Sequence, residues 1–168
     1  MPEGANGQGR YGTDLLRITT VISVAIYLIP EGAHFFEMFN KLKMSSVDYM
    51  TMQRAYDGWA FFGVAIVIAV GCTLGHAIAM WDIPVARWLS LGALALLIGA
   101  QVIFWCFIYP MNALTRNWTE IPANLGVARL QWEYGHAASA TLTLLALVLA
   151  LCAVLSGVRG SSQPTRKV

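Results

Sequence analysis

The chain of 168 residues is 57% hydrophobic and 12% charged, against roughly 25% charged in an ordinary soluble domain. This composition excludes a water-soluble globule, and a formal charge of +2 with scattered Lys and Arg excludes the basic patch that nucleic acid or anionic headgroups would need. The apolar residues gather in four blocks of about twenty, the length that crosses a bilayer as helix, so the sequence predicts an all-α, integral membrane, antiparallel four-helix bundle in a single domain.

A polar run through Arg17 leads into a first span at residues 18–38, whose apolar run meets Pro30 and Glu31 where a signal peptide would show a small-residue cleavage site. It reads as a retained helix. The long connection at residues 39–58 carries Ser45-Ser46-Val47-Asp48, the form of a capping box, which predicts a short helix through Tyr56 on the membrane surface. A second span at residues 59–81 and a third at 88–109 flank a tight turn. The connection at residues 110–132, with Pro110 and Pro122, reads as a structured loop that yields to helix before Arg129, and a fourth span follows at residues 134–158. Flexible tails are expected at residues 1–15 and 160–168. Trp59, Trp81, Trp88, Trp105, Tyr109, Trp132 and Tyr134 sit near span ends, as an aromatic belt would.

Both termini and the turn at residues 82–87 share one side, which carries Arg10, Arg17, Arg87, Arg159, Arg166 and Lys167 against Lys41, Lys43, Arg54, Arg116 and Arg129 opposite. The excess leans towards cytoplasmic termini, with the long loops on the periplasmic side of a bacterial inner membrane. Cys72, Cys106 and Cys152 all lie in apolar blocks without a C-x-x-C motif, which argues against thiol exchange.

Ionisable residues inside spans are costly and face the bundle interior or a cavity, so they mark candidate sites. Glu31, His34 and Glu37 end the first span, Asp57 precedes the second, Trp105 and Tyr109 close the third, and Glu133 and His136 open the fourth. Alternating spans bring all of them to one membrane face. Glu31-x-x-His34 and Glu133-x-x-His136 each set a carboxylate and an imidazole on one helix face. Paired Glu-x-x-His helices also supply four of the six ligand residues of di-metal carboxylate bundles, so Glu31, His34, Glu133 and His136 are candidate metal ligands, with Glu37 and Asp57 as further oxygens. Two other readings stay open: hydrogen bonding that only ties helix ends together, and a b-type haem held by His34 and His136. Gln101 should find an interhelical partner, His76 a backbone carbonyl or a neighbour near the opposite interface, and the small residues Gly135, Ala137, Ala138, Ser139 and Ala140 should let the fourth helix approach another closely.

Four stretches stand out: GAHFFEMFNKL at residues 32–42, YMTMQRAYDGWAFFG at 49–63, FWCFIYPMNALTRNW at 104–118 and LQWEYGHAASA at 130–140. Together they resemble a bacterial branch of the anthrone oxygenase-like family of small four-helix membrane proteins, most specifically through WEYGHA. The resemblance implies oxidation of a tricyclic aromatic with molecular oxygen. The expectation is therefore a membrane oxidoreductase acting on an apolar aromatic or phenolic molecule from the lipid. His136, Glu133 and His34 would be the catalytic groups, and Trp105, Tyr109 and Trp132 the walls of the pocket. The alternative is a non-enzymatic accessory subunit or ligand-binding module whose polar cluster locks the helix ends.

Overall fold

Buried positions along each long helix recur in alternating steps of three and four residues. A computed structural model describes the backbone of residues 3–161 and the side chains of residues 11–160. Helix α1 (Glu3–Lys41) buries Arg17, Thr20, Val24, Tyr27, Glu31, His34, Met38 and Lys41. Helix α3 (Gly63–Ala79) buries Ile66, Ala69, Thr73 and His76, α4 (Pro84–Ile103) Ala86, Ser90, Ala93, Leu97 and Ala100, and α6 (Leu125–Ser161) Trp132, His136, Ser139, Thr143, Ala146, Ala150 and Ala153. Such a repeat keeps one narrow seam facing the partner helices. Small residues dominate the seams of α4 and α6, where close backbone approach replaces the hydrophobic drive that lipid cannot supply.

The four long helices close a ring in which α1 packs on α3 and α6, and α4 on α3 and α6. All four are long and apolar enough to cross a membrane, over Tyr11–Lys41, Trp59–Ala79, Pro84–Leu114 and Leu125–Gly160. The described residues contain no strand. Several boundaries differ from expectation. Helix α1 already starts at Glu3 and α6 runs through Ser161, so of the expected tails only residues 1–2 and 162–168 lie outside the described residues.

Helix α2 (Ser46–Gln53) begins as the capping box implies: the Ser45 hydroxyl accepts the Asp48 N–H at 3.2 Å and donates to the Asp48 carboxylate at 2.7 Å. It does more than lie on a surface, because Tyr49 and Gln53, one turn apart, are both buried in the end of the bundle. A 3₁₀ turn over Arg54–Tyr56 and a left-handed Gly58 (φ +86°) then reverse the chain into the second span. In the third span Pro110 lacks an N–H and would press on the carbonyl one turn back. The helix widens there into a π turn at Phe104–Ile108 before continuing as α5 (Tyr109–Leu114).

Beyond α5, Arg116, Asn117 and Trp118 all adopt left-handed φ angles of 45°, 53° and 65°. Buried Thr115 holds this turn, its hydroxyl accepting the Trp118 N–H at 3.1 Å and its carbonyl the Thr119 and Glu120 N–H groups at 3.0 Å.

Candidate functional site

Because Tyr27, Glu31, His34 and Lys41 share the α1 seam, they meet residues of α2, α4 and α6 in the interior at the long-loop end. Two hydrogen-bonded groups result. In the first, Gln101 Nε2 donates to Tyr27 Oη at 2.8 Å, Tyr27 donates to Glu31 Oε1 at 3.2 Å, and Glu31 Oε2 stands 2.9 Å from His136 Nδ1. A carboxylate there accepts the Nδ1 proton and leaves Nε2 as the basic nitrogen.

In the second group Lys41 Nζ lies 3.1 Å from Glu133 Oε1 and donates to Gln53 Oε1 at 3.3 Å. Tyr49 donates to the same Glu133 oxygen at 3.0 Å and accepts from Gln53 Nε2 at 3.0 Å. Lys41 also sits 4.9 Å from the Tyr56 ring centroid and 4.6 Å from that of Trp132, within cation–π range. Tyr56 donates to Glu37, whose carboxylate is 3.9 Å from Lys41. Burial and the Glu133 carboxylate hold the Tyr49 phenol above its ordinary range; burial and the hydrogen bond to Glu37 do the same for Tyr56.

Between the groups stands an aromatic box. The His34 ring lies 4.2 Å from His136, 4.3 Å from Tyr56 and 4.8 Å from Trp132 between centroids, and Trp132 is 4.2 Å from His136. The Nδ1 atom of His34 and Oε2 of Glu133 are buried without a hydrogen-bond partner among the described residues. A cavity of about 690 Å³ adjoins the box, bordered by Glu31, His34, Tyr56, Asp57, Trp132 and His136. Val67, Trp105 and Tyr109 also border it while remaining well exposed on the side of the bundle, so its mouth opens laterally between α3 and the end of the third span.

The structure thus brings His34 and His136 into contact and sets Trp105, Tyr109 and Trp132 around one cavity. It separates Glu133 from His136: Glu133 turns to Lys41 and does not border the cavity, and Glu31 is the carboxylate beside His136. The proposed ligand set of Glu31, His34, Glu133 and His136 is therefore not assembled, and no three His, Cys, Asp or Glu among the described residues are placed to hold a metal ion. Lys41 supplies the positive charge at Glu133 that a metal would have supplied. A haem between His34 and His136 does not fit either, since rings 4.2 Å apart leave no space for a macrocycle.

Gln101 finds its partner in Tyr27, and His76 bonds Ser90 Oγ at 2.8 Å near the other end of the bundle. Cys72, Cys106 and Cys152 are free thiols. Tyr27 and Lys41 were legible in principle, being four residues before Glu31 and seven after His34 on the same seam. Nothing local in the sequence marks Tyr49, Gln53 or Asn112, which reach the site through α2 and α5. Comparison with protein-family models, curated proteins and solved structures yields no match to this chain, so its chemistry is argued from its own geometry.

Proposed function

We propose that the protein is a membrane oxidoreductase that takes an apolar aromatic or phenolic molecule from the lipid and oxidises it with dioxygen, in the manner the anthrone oxygenase-like resemblance implies. The observation that carries this reading is the buried Glu31–His136 pair, at 2.9 Å, bordering a laterally open, aromatic-walled cavity. Glu31 orients His136 so that Nε2 removes a proton from a methylene lying between an aromatic ring and a carbonyl. The resulting carbanion passes its electrons to dioxygen. The peroxide so formed loses water, and the balance is CH₂ + O₂ → C=O + H₂O. Trp132 and Tyr56 form part of the aromatic wall against which the ring system packs.

The non-enzymatic reading draws its support from the Lys41–Glu133–Tyr49–Gln53 group, which ties α1, α2 and α6 together and needs no ligand. Proton abstraction separates the two. Vesicles containing the protein, transferred to D₂O with 2-tetralone, should exchange its benzylic C1 methylene faster than empty vesicles. His136→Gln and Glu31→Gln should each slow that exchange about 10²-fold while melting within a few degrees of the parent. Exchange no faster than in empty vesicles defeats the enzymatic reading.

For orientation, we infer cytoplasmic termini in a bacterial inner membrane. The terminal side carries six basic residues against five on the opposite side, an excess in the sense of the positive-inside rule.

A further inference from the structure

Asn112 stands in α5, just beyond the π turn, and borders the cavity. Two indole N–H groups end on its side-chain oxygen, Trp132 Nε1 at 2.8 Å and Trp118 Nε1 at 3.1 Å. An indole nitrogen can only donate, so the shared atom must be the amide oxygen, and this fixes which way the amide faces. The amide nitrogen is then directed away from both rings, and nothing among the described residues accepts from it. Trp118 is the last of the three successive left-handed residues of the turn that Thr115 holds.

We infer that Asn112 is an oxygen-binding residue: its Nδ2 donates to a carbonyl or phenolate oxygen of the bound molecule, and the pocket thereby selects oxygen-bearing planar aromatics over hydrocarbons of the same shape. This rests on the oxidoreductase reading and adds a second point of attachment to it. His136 takes the proton, and Asn112 holds the oxygen on which the carbanion's charge is delocalised. A donor fixed in advance strengthens its bond as that charge develops. It also rejects the hydrocarbon, which would leave a desolvated N–H without an acceptor.

The test compares 2-tetralone with tetralin, which has the same ring skeleton and no oxygen, by titration into nanodiscs with empty nanodiscs as the partition control. The parent should favour 2-tetralone about tenfold beyond partition. Asn112→Asp keeps an acceptor for both indoles and removes the donor. It should lose the preference and slow C1 exchange while the tryptophan emission stays that of the parent. If Asn112→Asp retains the preference while the parent exchanges deuterium, the inference fails and the oxidoreductase reading stands. If the parent neither prefers 2-tetralone nor exchanges it, both fail. Should the Asp variant not fold, the carbonyl stretch of 2-tetralone bound to the parent decides, a lowered frequency being expected and an unshifted one overturning the proposal.

Discussion

Lys41 and Glu133 form an ion pair whose side chains are 1% and 0% exposed, and the energetic consequence is asymmetric. Removing one partner strands a charge in a dry interior, which costs about 3 to 5 kcal/mol, whereas replacing both with apolar groups of similar volume is often neutral. Lys41→Met and Glu133→Leu should each lower the melting temperature in detergent markedly, and the double variant should recover most of the loss. An additive double variant would show that the two side chains do not depend on each other. The same replacements discriminate between roles, because Glu133 does not border the cavity and C1 exchange per folded molecule should survive its loss. Sequence spacing suggested the reverse, pairing Glu133 with His136 because they are three residues apart on one helix. Proximity on a helix does not decide which neighbour a side chain bonds, and a cation from α1 claimed the carboxylate first.

Among the elements, the close packing of α6 against the π turn makes a sharper test than any propensity. A Cβ at Gly135 would meet Ile108 Cγ1 at 2.8 Å, and Ile108 is β-branched and fully buried. Gly135→Ala should therefore cost about 1 to 3 kcal/mol. Gly71→Ala, with nothing within 4 Å, should be neutral or gain up to about 1 kcal/mol from helix propensity. Equal melting temperatures for the two would contradict the packing described.

Helix α2 and the turn after it respond to alkali. Tyr49 and Tyr56 stay protonated in the fold above their ordinary range, while in the unfolded chain they ionise near 10. The unfolded state then holds fewer protons, so stability is intact below about pH 10 and falls as pH rises beyond it. Replacing both with Phe should flatten that fall in a pH series of thermal melts. The four spans and the capping box were legible because periodicity and capping are local signals. The docking of α2 into the end of the bundle was not, since burial of Tyr49 and Gln53 depends on residues far along the chain.

For the molecule as a whole, topology can be read by chemical labelling. With Cys72, Cys106 and Cys152 replaced by Ala, a single cysteine at exposed Arg116 should react with an impermeant maleimide added outside intact cells. A cysteine at exposed Asp82 should react only after permeabilisation. The opposite pattern would invert the orientation. The shared face of the candidate residues could be foreseen from the alternation of spans, but the lateral mouth beside Val67, Trp105 and Tyr109 depends on how the helices splay, which no single segment encodes.

Two charged contacts at the site, Glu31 with His136 and Lys41 with Glu133, join the first long helix to the last. During synthesis, therefore, a nascent chain that has released α1, α3 and α4 from the insertion machinery still carries Glu31 and Lys41 without their partners on α6. Arrival of the final helix completes both pairs at once, so closure of the bundle and burial of these charges depend on α6.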